Sequence, residues 1–419
     1  MSIANYQKRY INEYSSITNI KMAESRYDQR GVSSLKPEVH SAIAKLDQGI
    51  FPEAFCKILP DYLAMDPKFC CIQHSDGAGT KSGLAYLIWK NHGSLKSWAN
   101  IIRDSLFMNL DDVGCVGALG PFLVNLTINR NKALIPGEII KLLIEECQAI
   151  CDFLTHYDIP CIFSGGETAD VGDLVRTIVL DNTITVRMKR KDVIDAGRIT
   201  HPALIVGFSS TGQAVWESFP NSGIGSNGMT NARHELLSSS YRKDTETYAP
   251  ETNPDLIYCG DYALADYLPG DLRFTIGGAL TSPTRTYLPL IYKLLSSIPR
   301  KHILGLIHCS GGGQTKIGKF GQLGITYLKY NLFPIPPLFE LLHKARNLPP
   351  REMYQTYNMG HRLEVIVTSQ TIADDCIAVA KECSIDARVV GEVVESNENQ
   401  NMRQVVIETK LGREFYSFS

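Results

Sequence analysis

The stretch His74-Ser75-Asp76-Gly77-Ala78-Gly79-Thr80-Lys81 says most about the fold of this chain of 419 residues. An apolar run at residues 69–73 precedes it and predicts a buried strand, because the run is short and leads into glycines. Glycines let backbone N–H groups approach phosphate oxygens, a lysine adds positive charge, and an acid can hold Mg²⁺. Taken alone, the stretch fits an ordinary polar turn slightly better than a phosphate site, so its meaning depends on the other motifs.

Two further segments bring acidic residues to the ends of predicted elements. Asn109-Leu110-Asp111-Asp112 lies near the end of a helix predicted at 96–115, and adjacent carboxylates repel one another unless a cation lies between them. An exposed helical face is the usual alternative, but the apolar neighbours favour partial burial. Ser164-Gly165-Gly166-Glu167-Thr168-Ala169-Asp170 follows a strand predicted at 160–163, where loops commonly form sites. Together the three segments predict a metal–nucleotide site in the first half of the chain.

Two apparent nucleotide-binding motifs do not meet their structural requirements. Gly223-Ile224-Gly225-Ser226-Asn227-Gly228 fits GxGxxG, but a turn precedes it where the dinucleotide fingerprint needs a strand. Residues 313–319 resemble a P-loop, but Phe320 stands where a Ser or Thr must bind Mg²⁺. The loop Ser310-Gly311-Gly312-Gly313 can still hold a phosphate through its backbone.

Strands and helices alternate in both halves of the sequence, with a boundary near residue 195. The first half has helices predicted at 82–90, 96–115 and 137–154, and strands at 122–128 and 174–187. The second has strands at 203–207, 303–307 and 389–394, and helices at 227–237 and 283–295. We therefore predict an N-terminal extension at 1–55, a domain at 56–195, and a second domain at 196–419 with a polar insertion at about 239–282.

Charge and composition exclude several classes of partner. Lys plus Arg is 42 and Asp plus Glu is 44, so the net charge of -2 argues against a nucleic-acid or anionic-membrane surface and allows a small anionic substrate. The 11 cysteines form no CxxC pair, which makes a structural zinc site an unfavoured interpretation. We find no signal peptide and no membrane-length apolar run, and we therefore expect a soluble cytoplasmic protein with reduced thiols.

These motifs, taken in order, resemble the phosphoribosylformylglycinamidine cyclo-ligase (aminoimidazole ribonucleotide synthetase) family over about residues 25–395. The family's D-G-V-G-T-K, N-D, G-G-E-T-A-E and H-S-N-G-Y correspond to segments starting at Asp76, Asp111, Gly165 and Gly225. Its P-T-R, H-L-T-G-G-G and E-M-x-R-x-F-N resemble segments starting at Pro283, His308 and Glu352, and its Y-x-x-A-G-V resembles one starting at Tyr27. The resemblance implies an α+β fold of two domains, a homodimer whose N-terminal domains share a β-barrel, and a C-terminal α/β sandwich domain.

The resemblance also implies an ATP- and Mg²⁺-dependent ring closure in purine biosynthesis, with roles for residues that match the motifs. The residues implied in catalysis are Asp76, Lys81 and Asp112, and those implied in metal binding are Asp76, Asp112 and Glu167. The residues implied near ATP are Gly77, Gly79, Thr80, Lys81, Gly165, Gly166, Glu167 and Thr168. The residues implied near the ribonucleotide substrate are Ser226, Asn227, Gly311, Gly312 and Gly313.

The second half departs from the family pattern at several positions. Gly225 replaces the family histidine, Gln355 replaces an arginine, and His361-Arg362 replaces an I-G pair. After the triple glycine, residues 314–317, which include Lys316, replace a stretch that ends in E-N. Two alternatives therefore stay open: a paralogous ATP-dependent phosphotransferase acting on another small molecule, and a non-catalytic nucleotide-binding homologue.

Overall fold

A computed structural model describes residues 25–33, 36–396 and 400–419 of the chain. Its fold is α+β, as predicted, and is built on two separate sheets. The helices are α1 Pro37–Ile43, α2 Lys81–His92, α3 Lys96–Gly114, α4 Gly137–His156, α5 Met229–Leu236, α6 Ile276–Leu280, α7 Leu288–Ser297, α8 Pro337–Arg346, α9 Pro350–Thr356 and α10 Gln370–Glu382. The strands are β1 Leu59–Pro60, β2 Phe69–Gly77, β3 Phe122–Arg130, β4 Cys161–Asp170, β5 Ile178–Lys189, β6 Ala203–Ser209, β7 Ile303–His308, β8 Ile325–Lys329, β9 His361–Val367, β10 Ala387–Glu395, β11 Arg403–Thr409 and β12 Gly412–Phe418.

The first sheet has the strand order β1-β2-β5-β3-β4, and α2, α3 and α4 pack against one of its faces. Strands β2, β5 and β3 pair antiparallel, whereas β3 and β4 pair parallel. Side chains that alternate along β3 and β5 bury one face of the sheet, as the period of two along a strand requires. The other face leaves Leu123 and Ile162 exposed on neighbouring strands.

The strand β4 is longer than the sequence predicted, and this corrects the interpretation of one motif. The segment Ser164–Asp170 was expected to be a loop after a strand ending at 163, but the parallel pairing with β3 continues to Asp170. The register shifts between Val124 and Leu126, opposite Gly165, which has φ +97°. A Cβ on Gly166 would lie 1.8 Å from the Leu126 carbonyl oxygen. The two glycines are therefore explained by an irregular strand and a close backbone approach.

The second sheet has the strand order β12-β11-β8-β10-β6-β9-β7. Every residue of β7 and β9 is buried. The reason is that α7 and α10 pack on one face, while the other face adjoins a separate apolar cluster that includes Tyr258 and Tyr327. Strands covered on two faces read as continuous apolar runs, which is why the sequence predicted β7, whereas β9 contains His361, Arg362 and Glu364 and was not predicted.

The segment 239–282, predicted as a polar insertion, contributes to the core of the second unit. Its backbone forms short 3₁₀ turns and α6, and the aromatic rings of Tyr241 and Tyr258 are buried in the main apolar cluster. Tyr262 packs partly against that cluster, whereas Tyr267 is exposed. The segment is therefore polar in composition but supplies core residues such as Tyr258, while Tyr267 stays at the surface.

The helix predicted from residue 283 begins later, at Leu288, because the residues before it bond to α3 instead of to one another. Thr284 N–H donates to Asp104, and Tyr287 N–H donates to Asp111. The strand predicted from 174 likewise begins at Ile178, after a turn in which the Leu174 N–H donates to the Val171 carbonyl. Within the described residues, no helix is both long and apolar enough to cross a membrane.

Candidate functional site

The helix α3 carries three buried carboxylates that connect the two units. Asp104 lies about two helical turns before the adjacent pair Asp111 and Asp112, and all three bond to residues of the second unit. Asp104 accepts hydrogen bonds from the Thr284 N–H and hydroxyl at 2.7 and 2.6 Å. Asp111 accepts one from the Thr286 hydroxyl at 2.7 Å. These bonds rule out the exposed helical face that was the alternative interpretation.

Asp112 lies at the centre of a polar cluster between the two sheets. Its Oδ1 is 2.6 Å from Nδ1 of His308, at the end of β7, and its Oδ2 is 4.0 Å from Nε2 of His74, on β2. The Nδ1 of His74 is in turn held by the Asn109 Oδ1 at 2.7 Å. Asp76 lies two residues beyond His74 on the same face of β2. The structure therefore brings together two of the predicted metal ligands and adds two histidines.

The two carboxylates of this cluster have pKa values displaced in opposite directions. Burial and then the negative charge of Asp112 raise the pKa of Asp76 to about 6. Burial opposes ionisation of Asp112 as well, but the hydrogen bond and charge of His308, together with the charge of Lys316, lower its pKa below the ordinary value. Two acids that oppose one another's ionisation fit a divalent cation, which would stabilise the charged form of each.

A glycine loop and a lysine adjoin this carboxylate pair from the second unit. The loop follows β7, and Gly311, Gly312 and Gly313 take φ values of +62°, +129° and +52°. Gly311 is exposed with open space where a Cβ would lie, as backbone contact with a ligand requires. Lys316, in the 3₁₀ helix Gly313–Lys319, lies 5.2 Å above the ring of Phe55. The loop and the lysine offer an anion both N–H groups and a positive charge.

Lys81, predicted to approach a phosphate, has its ammonium group fully engaged inside the protein. Its Nζ is 2.8 Å from Asp104 and donates to the Gly225 and Ser282 carbonyl oxygens at 3.0 and 2.6 Å. Burial and the charge of Arg362 lower its pKa, whereas Asp104 raises it. Since an ammonium has three donors, these contacts use all of them. In the structure Lys81 joins α2 to the second unit, and its predicted contact with a phosphate stays a prediction.

The predicted ATP loop at the end of β2 is partly strand and partly turn. Gly77 belongs to β2, and a Cβ there would lie 2.6 Å from the Leu180 carbonyl oxygen. Gly79 has φ +58° in open space and is exposed, so its backbone is accessible to a ligand. The Thr80 hydroxyl is 2.7 Å from that of Thr230 in the second unit.

The segment 165–168 lies apart from Asp76 and Asp112 within one chain. Glu167 and Thr168 are exposed on the edge strand β4. The pairing registers place Glu167 in one row with Gly77, but three strand spacings, or about 14 Å, separate β4 from β2. Glu167 therefore does not complete the Asp76–Asp112 pair in a single chain.

The predicted substrate residues lie on two neighbouring loops of the second unit. Ser226 and Asn227 are half-buried just before α5, after Gly225, whose carbonyl binds Lys81. Gly311 to Gly313 follow β7. No strand precedes residues 223–228, because β6 ends at Ser209, and this agrees with the rejection of the GxGxxG motif.

Sequence reasoning assigned no role to three basic residues that the structure places at or near this site. His308 was quoted only as the start of a glycine motif, although a histidine just before such a loop is itself a signal. Lys316 and Arg362 were noted only as departures from a pattern. His308 and Arg362 lie close enough to Asp111 for their charges to lower the pKa of that carboxyl against the larger effect of burial. His308 and Lys316 act in the same way on Asp112.

Comparisons with known proteins confirm the resemblance. The chain is similar to phosphoribosylformylglycinamidine cyclo-ligase of Methanococcus vannielii, at 26% identity over 77% of this chain and 78% of that protein. It is also similar to the enzyme of the same name from Alkaliphilus metalliredigens, at 25% identity over 90% and 94%. No family model matches the chain.

A solved structure shows the same fold at low sequence identity. A chain in the crystal structure of the HypE–HypF complex superposes with a TM-score of 0.53 and 14% identity, covering 91% of this chain and 99% of that chain. At this identity the likeness concerns the fold alone. It confirms the predicted two-unit α+β architecture, and the activity has to be inferred from the residues of the site.

Proposed function

We propose that this chain is an ATP- and Mg²⁺-dependent cyclo-ligase that closes the imidazole ring of formylglycinamidine ribonucleotide to give aminoimidazole ribonucleotide. The observation that carries the proposal is the pair of Asp76 and Asp112, brought from β2 and α3 to the junction of the units with opposed pKa values. The cyclo-ligase activity for which the similar proteins are named supports the choice of substrate. The glycine loop 311–313 beside the pair supports a phosphate-bearing ligand.

The reaction needs positioning and charge neutralisation more than covalent help from the protein. ATP transfers its γ-phosphoryl group to the formyl amide oxygen, and ADP is released. The substrate amine then forms a C–N bond to the amide carbon, the C–O bond breaks, and inorganic phosphate leaves. Phosphorylation is required because an amide oxygen is a poor leaving group, and catalysis then consists of holding the groups in line.

The residues of the cluster divide these tasks. Asp76 and Asp112 would hold Mg²⁺, which neutralises phosphate charge when bound. The backbone at Gly79 and at 311–313 would hold phosphate oxygens, with Lys316 adding a positive charge. Asp112 fixes the ring of His308 through Nδ1, so that Nε2 is free to bond or exchange a proton with the substrate.

A homodimer is part of the proposal, since the exposed face of the first sheet suits a second copy. Leu123 and Ile162 pair on neighbouring strands and are each 46% exposed, and Val179 on β5 is 38% exposed. Apolar side chains grouped on an open sheet face favour association. Sedimentation velocity checks this: we expect twice the mass of 46.5 kDa, and a monomer for Ile162→Lys.

The activity is tested by following ADP release from ATP with formylglycinamidine ribonucleotide and Mg²⁺. We expect turnover that depends on all three, and its loss in Asp112→Asn, which keeps the shape of the side chain and removes the charge. Glu145→Gln, which changes an exposed carboxylate on α4 that has no assigned role, is the matched control and should retain activity in the same assay. Binding of ATP without turnover of this ribonucleotide would contradict the proposal, and transfer of phosphate to another acceptor would favour the phosphotransferase alternative.

A further inference from the structure

Arg362, the second residue of β9, is a fully buried arginine whose guanidinium is incompletely paired. Its side chain is only 1% exposed. Its Nη2 donates to the Arg285 carbonyl oxygen, but Nε and Nη1 have no hydrogen-bond partner among the residues that the structure describes. No carboxylate of the described chain lies within ion-pair distance of it. Because buried donors are nearly always paired, a buried cation in this state indicates a missing anionic partner.

Arg285 provides an internal comparison, since it is equally buried in the same region. Its Nε and Nη2 bind the two carboxylate oxygens of Glu217 at 3.0 and 2.5 Å, and its Nη1 donates to the Ser209 and Thr211 carbonyls. The protein therefore provides a complete set of partners for one arginine and an incomplete set for the other. This difference separates a structural arginine from one that keeps donors available.

Gly225 leaves the space that the Arg362 guanidinium occupies. A Cβ at position 225 would lie 2.7 Å from Nη1 of Arg362, and the backbone has φ +65° there, so a larger residue would be strained and would displace the guanidinium. Gly225 is directly followed by Ser226 and Asn227. The guanidinium of Arg362 can therefore take its position only because residue 225 has no side chain.

The backbone of Arg362 adjoins the second substrate loop as well. Its carbonyl oxygen accepts a hydrogen bond from the Cys309 N–H at 2.6 Å, next to His308 and the glycines 311–313. The guanidinium also lies close enough to Asp111 for its charge to help lower that carboxyl's pKa against the larger effect of burial. Arg362 therefore lies where the loop 225–227 and the loop 309–313 approach the carboxylates of α3.

We propose that Arg362 binds a phosphate oxyanion of the bound reactants through Nη1, the unpaired donor that lies against Gly225. This inference deepens the proposed function and rests on it for the identity of the reactants. The phosphate belongs either to the ribonucleotide or to the γ-position of ATP, which share the chemistry that arginine recognises. Reaching the buried donor requires the loop 225–228 to shift, and its glycines at positive φ permit such a movement.

The test compares Arg362→Met with Arg285→Met in the full-length protein. Removing an incompletely paired charge should leave the unfolding temperature of the ligand-free protein unchanged or higher, whereas removing the paired Arg285 should lower it. In Arg362→Met the KM of one reactant, ATP or the ribonucleotide, should rise by about tenfold or more while the other stays near its wild-type value. The reactant affected identifies the phosphate, and thermal shifts with ATP or the ribonucleotide alone should report the same loss.

Two further variants keep the test decisive if Arg362→Met does not fold. Arg362→Lys keeps the charge without the planar donors, and Gly225→Ala displaces the guanidinium, so each should raise the same KM. Unchanged KM values for ATP and the ribonucleotide in these variants would overturn the inference, as would a fall in unfolding temperature for Arg362→Met equal to that of Arg285→Met. Turnover by the wild-type protein tests the proposed cyclo-ligase function, whereas the variants test only the phosphate contact of Arg362. Failure of the proposed function is therefore distinguishable from failure of this inference.

Discussion

Replacing Asp76 by asparagine should stabilise the metal-free protein at neutral pH. Burial and the charge of Asp112 raise the pKa of Asp76 from its ordinary value of 3.8 to about 6. One pKa unit corresponds to about 1.4 kcal/mol, so ionised Asp76 costs the folded state about 3 kcal/mol above pH 6. Asparagine removes this cost and can still accept the hydrogen bond that the Gly77 N–H donates to Asp76 Oδ1 at 2.7 Å.

The sign of the pH dependence follows from the raised pKa of an acid. The folded protein binds the Asp76 proton more tightly than the unfolded chain does, so Asp76 costs nothing well below pH 3.8, and its cost grows until the pH passes 6. The advantage of Asp76→Asn should therefore be largest at pH 7.5 and about half as large at pH 5. Added Mg²⁺ should stabilise the wild-type protein and reduce the difference, because the cation favours the ionised pair.

Urea unfolding in EDTA at the two pH values measures this difference directly. Asp170→Asn is the matched control, because the hydrogen bond from Arg130 lowers the pKa of that exposed carboxyl and its replacement should be slightly destabilising. An Asp76→Asn protein no more stable than wild type at pH 7.5 would refute the electrostatic reasoning. An advantage that does not change between pH 5 and pH 7.5 would refute it as well, since a packing effect has no such pH dependence.

Two predictions concern stability away from the carboxylate pair. Gly166→Ala should destabilise the fold by about 3 kcal/mol in urea unfolding, because its Cβ would lie 1.8 Å from the Leu126 carbonyl oxygen. Gly137→Ala, in open space at the start of α4, should be neutral or slightly stabilising, and an equal loss for the two alanines would contradict the close-approach explanation. Lys329→Met should cost about 3 to 5 kcal/mol, because it leaves buried Glu364 without the ammonium that now lies at 2.6 Å. The double variant with Glu364→Gln should recover part of that loss, and an unchanged loss would mean that the lysine acts through packing alone.

Local patterns predicted most of the fold because they depend on a few neighbouring residues. The continuous apolar run of β7 predicted a strand, because the strand is buried on both faces. The helical spacing of apolar residues predicted the long amphipathic helix α4. The predicted end of a strand at 163 was wrong, since glycines normally end strands and only the pairing of β4 with β3 reveals the irregularity that Gly165 allows. Pairing partners distant in sequence are not visible in a local pattern.

Side chains of the candidate site could be predicted where a single motif contains them. Contacts between segments distant in sequence could not be predicted. Acids after a strand and at a helix end are themselves a signal, and the structure brings Asp76 and Asp112 into one cluster, while their role as metal ligands stays a prediction. Lys81 looked like a phosphate ligand from its neighbours in sequence, but its ammonium is bound by Asp104 and by carbonyls of the second unit. The relation between Gly225 and Arg362 depends on a contact across 137 positions of sequence, which only the folded chain shows.

The three acids along α3 have a thermodynamic consequence for the protein as a whole. Asp104, Asp111 and Asp112 each lose hydrogen-bond partners if the second unit unfolds, and Leu84 and Leu87 of α2, which are buried in the apolar cluster of the second unit, become exposed to water. Partial unfolding of either unit is therefore far less favourable than unfolding of the whole. Calorimetry should show a single transition for the two units, so that a destabilising substitution in one sheet lowers the melting temperature of the entire chain.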